Sequence, residues 1–467
     1  MAGESETGGE SDTNGRVGAG AEPSPEPDPL DAFRQFVSLP GDVLVLSLAM
    51  FAFSLGFQMT GRYLPEYLSV LGAGSVVIGL YGSVGNLISA VFPYPGGALS
   101  DRIGSRSALT LFGVASTLGF VVWWAADPLR TVTLGPTNLA VIVVFLGLFL
   151  SQAWKSFGLG ATFAVVKQSV PDGSLASGFA ATETFRRTAF LLGPLLAAGV
   201  LSLFSFTEGF RILLLVAAAA GGLATVAQRS LYDASKDSLG KSFEGLDSVV
   251  EDLRSLPDPL RPLLVADTLV RFANGMVYVF FVIVVVDFLS VGATLPVVGR
   301  LSPEAFFGVL LAVEMAVALL TMVPVARLAR RVGLKPVVAV GFAVYAVFPV
   351  LLISAPGEAV AATVPVLGTV TVPPAAMLAI LFAFSGLRFA GLPAHKALIV
   401  GPAERDAGGR VTGSYYLVRN AITIPSAAAG GLIYGASPAA AFGTATVVGL
   451  LGTGYFLLRG EEFAAYA

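Results

Sequence analysis

Apolar stretches long enough to cross a membrane recur along most of this chain. An α-helix needs about 20 mostly apolar residues to span the hydrocarbon core of a bilayer. Twelve stretches meet this requirement, at approximately 42–64, 75–97, 107–126, 138–166, 176–204, 209–228, 262–288, 303–325, 336–354, 373–398, 409–434 and 438–458. The pattern therefore predicts an all-α polytopic membrane protein with twelve transmembrane helices.

The polar segments divide the chain into four predicted parts. Residues 1–40 are rich in Glu, Asp, Ser, Gly and Pro and poor in aliphatic residues, so we expect a disordered acidic cytoplasmic tail. Residues 41–228 form the predicted N-terminal six-helix half, and residues 262–467 form the C-terminal six-helix half. Between them, residues 229–261 are charged and partly amphipathic, which is typical of a cytoplasmic linker.

The Lys and Arg residues are concentrated in alternate loops, which indicates the orientation of the helices. Cytoplasmic loops of membrane proteins are enriched in these residues. The opposite loops hold only Arg130 and Arg300, apart from Arg62 and Arg211 at helix ends. With an even number of helices, we expect a multi-pass protein of the plasma membrane that has both termini in the cytoplasm.

The composition supports a lipid-facing surface and excludes several chemistries. Hydrophobic residues make up 55% of the chain, charged residues only 13%, and the mean hydropathy is +0.79, whereas soluble domains carry about 25% charged residues. The sequence has no Cys and one His, which excludes thiol catalysis, cysteine-ligated metals and His-rich metal sites. A phosphate-binding G-x-x-x-x-G-K-[ST] motif is absent as well, so we expect neither an ATP-driven pump nor an enzyme.

Two stretches of the first half recur in the second half in the same order. When Pro95 is aligned with Pro324, the residue pairs that match are Leu99 with Leu328, Arg102 with Arg331, Gly104 with Gly333, and Arg106 with Lys335. The second match joins Lys155, Gly158 and Leu159 to Arg388, Gly391 and Leu392, and Pro194 to Pro425. Repeats of this kind are found in transporters whose binding site lies between two halves.

The stretch Gly97-Ala-Leu-Ser-Asp101-Arg102-Ile-Gly104-Ser-Arg106 resembles the signature loop of the major facilitator superfamily, G-x-L-[AS]-D-[RK]-x-G-x-[RK]. It lies between predicted helices 2 and 3, as it does in that family. The resemblance implies the family fold and a latch role for Asp101 and Arg102 in the outward-facing state. In the second copy Arg330 replaces the aspartate, which implies a weaker latch there.

Three further stretches carry the resemblance. Lys155-Ser-Phe-Gly158 is similar to the family's R-x-x-x-G motif, but it has lysine for arginine and an early glycine. Leu192-Gly193-Pro194 and Gly199 partly match a motif associated with exporters, in which Gly and Pro allow close helix packing. The stretch GLRFAGLPAHKALIV from Gly386 resembles a prokaryotic subgroup of the superfamily.

Ionisable residues inside the predicted helices are the candidates for function, because each costs several kcal/mol unless it is paired or hydrated. Asp267 with Arg271, and Glu183 with Arg187, have the i,i+4 spacing of helical ion pairs. Glu314 has no charged residue within one turn. We therefore take Glu314 as the leading candidate for ion coupling, with Asp267 and Glu183 as alternatives.

Cations outnumber carboxylates among these intramembrane residues. The candidates for the substrate cavity are Lys155, Arg187, Arg271, Arg388 and Arg419. If several of them face one cavity, it would attract anionic solutes; if they face the cytoplasmic vestibule, the excess has no such meaning. His395 is predicted at an interfacial helix end.

These observations predict a secondary active transporter that works by alternating access and exports a small organic solute, anionic or amphipathic, coupled to protons or sodium. Uptake of an organic anion by symport is the nearest alternative. A non-transporting membrane sensor is a third class; it would need a soluble output domain, and the sequence predicts none between the helices. We expect a monomer in the lipid bilayer, with a small-molecule substrate, no cofactor and no nucleic-acid partner.

Overall fold

The computed structural model describes residues 41–135, 137–169, 175–233, 257–296, 299–364, 368–401 and 408–462. The predicted tail 1–40 and most of the predicted linker therefore lie outside the described residues. We refer to the described residues 41–233 as the N-terminal half and to the described residues 257–462 as the C-terminal half.

Helices make up almost all of both halves. The N-terminal half contains α1 Gly41–Thr60, α2 Leu64–Val70, α3 Ser75–Val91, α4 Pro93–Ile103, α5 Ser105–Trp124, α6 Leu139–Ser151, α7 Leu159–Ser169, α8 Leu175–Leu201 and α9 Phe206–Leu231. The C-terminal half contains α10 Leu260–Val277, α11 Phe281–Ile283, α12 Pro303–Val332, α13 Leu334–Ile353, α14 Pro374–Gly386, α15 Leu392–Val400, α16 Gly408–Thr423, α17 Ser426–Ala436 and α18 Pro438–Arg459.

Most of the predicted spans are long and apolar enough by themselves. Among the described residues, nine helices meet this requirement, or ten if α3 and α4, which bend by 43° at Phe92, form one span. The remaining predicted segments fall short for physical reasons. Helix α8 carries Glu183, Arg186 and Arg187, and the helix pair α16–α17 is interrupted at Pro425. The described helices are thus consistent with the twelve predicted segments.

Corresponding residues of the two sequence repeats lie at similar places in the fold. Gly104 ends α4 with φ 84° and ψ 153°, and Gly333 ends α12 with φ 92° and ψ 167°. These values lie in a region that only glycine adopts without strain. Lys155 lies in a π-helical turn between α6 and α7, while Arg388 lies in a 3-10 turn between α14 and α15. Both matches are what a duplicated six-helix unit predicts.

Three short antiparallel hairpins connect helices on one side of the bundle. They pair β1 Thr133–Leu134 with β2 Thr137–Asn138, β3 Ala293–Leu295 with β4 Gly299–Leu301, and β5 Val360–Val364 with β6 Gly368–Val372. Because the helices cross in alternate directions, all three lie on what we call the hairpin side. The opposite side, with Gly104, Gly333 and the end of α9, is called the linker side.

Small residues bring the halves into close contact near the hairpin side. A Cβ on Gly79 of α3 would lie 2.5 Å from the carbonyl oxygen of Ala427 on α17. Likewise, a Cβ on Gly308 of α12 would lie 2.7 Å from the carbonyl oxygen of Pro194 on α8. The Tyr63 hydroxyl also donates to the Glu304 carbonyl oxygen across this boundary, at 3.1 Å. The halves therefore meet tightly at their hairpin-side ends.

Candidate functional site

Two cavities lie between the N-terminal and C-terminal halves, below this close contact. The first, of about 200 Å³, is lined by Gln58, Arg62, Arg186, Arg187 and Glu314, among others. Its walls thus come from α1, α8 and α12, and include Arg62 in the turn after α1.

The second cavity, of about 250 Å³, is lined largely by polar side chains. Asn86 comes from α3, and the C-terminal half contributes Arg271, Asn274, Arg419 and Asn420. Tyr278 lines both cavities, and the Arg62 guanidinium lies 4.0 Å from the centre of its ring.

Asp267 on α10 organises the second cavity, although its own side chain is fully buried. Its Oδ1 lies 3.3 Å from Nε of Arg271, and its Oδ2 lies 3.1 Å from Nη1 of Arg419. The Tyr415 hydroxyl donates to Oδ2 at 3.2 Å. Nε2 of His395 is also 3.3 Å from Oδ2, without the alignment of a hydrogen bond. One carboxylate therefore holds two arginines that face the cavity.

Arg271 is positioned by a second helix as well. Its Nη1 donates to the Tyr345 hydroxyl of α13 at 2.9 Å, and its guanidinium lies 4.8 Å from the centre of that ring. The Arg419 guanidinium lies 4.6 Å from the centre of the Tyr416 ring. The side chains of Arg271 and Arg419 keep exposures of 26% and 16%, so both are accessible from the cavity while bound to Asp267.

Glu314 is the centre of another ion-pair cluster, which joins the two halves. Its Oε1 lies 2.7 Å from Nη2 of Arg388 and accepts a hydrogen bond from the Ser385 hydroxyl at 2.5 Å. Its Oε2 lies 3.7 Å from Nη2 of Arg62, which belongs to the N-terminal half. Arg388 is buried and surrounded by aromatic rings, including those of Tyr345 and Phe389.

The third candidate carboxylate, Glu183, is paired within its own helix. Its Oε1 lies 2.7 Å from Nη2 of Arg186 and 2.9 Å from Nε of Arg187. Both arginines also line the first cavity. The cations around the two cavities outnumber the carboxylates, so this region favours anionic groups.

The sequence profile of the Major Facilitator Superfamily matches residues 46–302, more than half of the chain. This chain belongs to that superfamily. The signature motifs of the sequence predicted this family, and the match confirms that prediction.

Similar proteins come from bacteria and archaea. An uncharacterised MFS-type transporter of Mycobacterium tuberculosis is 31% identical over 185 residues, which are 39% of this chain and 40% of the relative. The chain thus spans about two fifths of the length of this curated relative. An uncharacterised MFS-type transporter of Methanocaldococcus jannaschii is 20% identical over 427 residues, covering 89% of this chain and 94% of the relative.

Solved transporter structures share the fold at low identity. A POT family transporter in complex with 5-aminolevulinic acid matches with a TM-score of 0.69 and 13% identity, covering 91% of this chain and 99% of that chain. A bacterial homologue of the iron transporter ferroportin in an inward-facing state matches with a TM-score of 0.67 and 14% identity, covering 90% and 98%. The nucleoside transporter NupG matches with a TM-score of 0.65 and 13% identity, covering 90% and 98%.

The signature loop of this superfamily member lies at the linker side. Gly97, Asp101 and Arg102 are on α4, and Gly104 makes the turn into α5. Arg106 binds the Arg229 carbonyl oxygen at the end of α9 through Nε, at 2.8 Å. This contact lies within the N-terminal half. Within the described residues Asp101 makes no hydrogen bond or ion pair.

The structure separates the predicted cavity residues into two groups. Arg187, Arg271 and Arg419 line the two cavities. Arg388 lies behind them, with 1% of its side chain exposed. Lys155 does not line either cavity; its ammonium lies 5.9 Å from the centre of the Phe57 ring.

Sequence reasoning missed two contacts at this site. The prediction that His395 lies at an interfacial helix end is wrong, because the residue is buried beside Asp267 on the side facing α10. Arg62 was placed near a helix end, and its contact with Glu314 joins residues far apart in the chain. No helical spacing rule predicts a pair so far apart in the chain. The sequence indicates only that Arg62 is a charged residue beside an apolar stretch.

Proposed function

We propose that this protein is a secondary active transporter of small organic anions, coupled to protons and working by alternating access between its two halves. The observation that carries this proposal is the double role of Arg271 and Arg419. Each binds Asp267 and also lines the 250 Å³ cavity between the halves. A carboxylate or phosphate in the cavity would meet two guanidinium groups, the side chains best suited to such anions.

An anion in this cavity competes with Asp267 for the same two arginines. A substrate that draws Arg271 or Arg419 away leaves Asp267 buried with fewer cations, and a buried carboxylate in that condition takes up a proton. Conversely, a proton on Asp267 releases the arginines for the substrate. Because coupling between two binding sites is reciprocal, proton and anion each strengthen the binding of the other.

Glu314 serves this mechanism in a different way. Its contact with Arg62 connects α12 to the turn after α1, across the boundary between the halves. A rocking motion that opens the hairpin side would separate Arg62 from Glu314, while Arg388 stays attached within the same half. Glu314 thus remains the leading candidate for ion coupling, with Asp267 and Glu183 as the alternatives.

Two observations favour opposite directions of transport. The exporter-like residues Gly193 and Pro194 pack where α8 meets α1 and α12, since a Cβ on Gly193 would lie 2.6 Å from Cβ of Gln58. They support export, as predicted from the sequence. The sharing of arginines between Asp267 and the cavity supports the alternative, uptake by symport, because proton and anion bind together.

Further proposals concern the signature loop, the membrane topology and the oligomeric state. The freedom of Asp101 in this conformation supports a latch that engages only when the linker side closes. The distribution of Lys and Arg supports cytoplasmic termini in a plasma membrane, and we propose that the transporter is a monomer.

A ligand screen followed by a flux assay tests the proposal. Thermal shift on purified protein would compare a C4 dicarboxylate, an aromatic carboxylate and a phosphorylated sugar with their neutral amides or alcohols and with a cationic amine. We expect anions alone to raise Tm, and Arg419→Gln to remove the effect. The matched control is Arg459→Gln, at the exposed end of α18. Stabilisation by neutral or cationic solutes instead would refute an anionic substrate.

Proteoliposomes then decide coupling and direction. The best ligand from the screen would be loaded on one side, with a pH gradient or a sodium gradient imposed separately. Accumulation with an inward proton gradient indicates symport, whereas extrusion against the gradient indicates export by antiport. Flux that follows sodium but ignores the proton gradient would contradict the role proposed for Asp267.

A further inference from the structure

Glu66 is a buried carboxylate without a partner in the part of the chain that the structure describes. It lies in the first turn of α2 and is 4% exposed. Its Oε2 is buried and has no hydrogen-bond partner, and no ion pair reaches the side chain. An ionised carboxylate in this position would be costly, because no cation among the described residues compensates its charge.

Among the described residues, the groups that face Glu66 come from three other elements, and none of them is a cation. Asp287 in the π-helical end of the span that begins with α10 and Glu304 in the first turn of α12 both act electrostatically on Glu66. The phenol of Tyr434 on α17 faces Glu66 and Asp287. On the neighbouring turn, the Tyr63 hydroxyl donates to the Glu304 carbonyl oxygen.

This acidic cluster, defined as Glu66, Asp287 and Glu304, straddles the boundary between the halves at its tightly packed hairpin-side end. Glu66 belongs to the N-terminal half, and the other two residues belong to the C-terminal half. Closing this end buries Glu66 and brings like charges towards each other. Opening it would return Glu66 to water and relieve the repulsion. The stability of the closed state therefore depends on the charge of the cluster.

We propose that Glu66 binds a proton when the hairpin side closes and releases it when that side opens, so that the acidic cluster is a proton-operated gate. The gate is separate from the substrate cavities and does not rest on the proposed substrate. If closing takes up one proton, the ratio of closed to open molecules falls by up to tenfold for each unit of rising pH.

Distance measurements between two spin labels test the gate directly. The sequence has no Cys, so the pair Thr133→Cys and Thr294→Cys, on exposed hairpin positions of the two halves, labels only these sites. Double electron–electron resonance in lipid nanodiscs, without substrate, would follow the short-distance population from pH 5 to pH 9. We expect this population to decrease as the pH rises. With Glu66→Gln, which mimics the protonated side chain, we expect it to stay high at every pH.

Two further variants test whether the pH dependence comes from the acidic cluster. Glu208→Gln changes an exposed carboxylate in the first turn of α9, on the same side but outside the acidic cluster, and should leave the pH profile unchanged. Asp287→Asn, at an exposed residue, removes one like charge from the closed cluster, so it should favour closure and move the midpoint to higher pH.

Three results would overturn the proposal: no pH dependence in the otherwise unaltered labelled protein, the same dependence after Glu66→Gln, or an unmoved midpoint after Asp287→Asn. Closure that responds to sodium or divalent cations at constant pH would also overturn it, in favour of a cation site. Since no ligand is added, these outcomes are independent of whether anions bind in the cavities.

Discussion

The ion pair between Glu314 and Arg388 should be essential for stability, whereas the contact between Glu314 and Arg62 should not. Arg388 has 1% of its side chain exposed, and its Nε and Nη1 have no hydrogen-bond partner among the described residues. Its charge is therefore balanced chiefly by the Glu314 oxygen at 2.7 Å. Removing one member of a buried pair costs about 3–5 kcal/mol, because the other charge is left uncompensated.

A double-mutant cycle measures this coupling. Glu314→Ala and Arg388→Met should each lower the free energy of unfolding by about 3–5 kcal/mol. The loss in the double variant should be smaller than the sum of the two single losses by at least about 2 kcal/mol. The assay is equilibrium unfolding in mixed detergent and SDS micelles, followed by tryptophan fluorescence. The matched cycle uses Arg62→Met, whose guanidinium lies 3.7 Å from Glu314 without a hydrogen bond and is 14% exposed. Its coupling should be clearly smaller than that of Arg388.

Additive losses at Glu314 and Arg388, or a larger coupling to Arg62, would refute this account of the cluster. The transport consequence is tested with Glu314→Gln, which preserves the shape and hydrogen bonding of the side chain but cannot ionise. The variant should be less stable, because Arg388 loses its counter-charge. In the protein that folds, gradient-driven transport should be abolished while ligand binding and energy-independent exchange remain. If the variant still transports against a gradient at normal rates, Glu314 is not the coupling group, and Asp267 or Glu183 takes its place.

Three other experiments test the proposed latch at Asp101, the membrane topology and the helix packing at Gly193. Asp101→Asn should slow turnover without weakening ligand binding, because it alters a latch rather than the site; an unchanged transport rate at normal expression would argue against the latch. Reporter fusions at Arg130 and Asp237 should score periplasmic and cytoplasmic, and the same score at both would contradict cytoplasmic termini. Gly193→Val should lower stability by about 1–3 kcal/mol through overpacking against Gln58, as measured by SDS unfolding, and an unchanged midpoint would show that this contact is loose.

The architecture could be predicted from the sequence because membrane burial leaves a simple record in the chain. Each span must be apolar for about 20 residues, and the repeated glycines Gly104 and Gly333 mark turns whose backbone conformation other residues resist. The superfamily signature from Gly97 to Arg106 then identified the fold from a few residues. These features are local, so one sequence is enough to find them.

The site was only partly predictable, because its pairs join residues distant in the chain. The sequence identified Asp267, Arg271 and Arg419 as costly intramembrane charges, and the i,i+4 spacing indicated the contact between Asp267 and Arg271. The contacts of Asp267 with Arg419 and His395 depend on how α10, α15 and α16 pack, which no spacing records. Glu66 was missed altogether because it follows Pro65 close to a predicted helix end, where a carboxylate usually reaches water.

If the two cavities hold the substrate as proposed, the stacked pair of Arg62 and Tyr278 would limit the size of the cargo. Tyr278 forms a partition shared by the two cavities, and Arg62 lies on its ring at 4.0 Å. Each chamber alone is smaller than the roughly 300–1,000 Å³ of ordinary small-molecule sites, but together they offer about 450 Å³. A compact ion would fit in one cavity without moving Tyr278. A longer molecule would have to displace Tyr278, and with it Arg62, whose guanidinium contacts Glu314. Cargo length would thereby be transmitted to the contact between the halves.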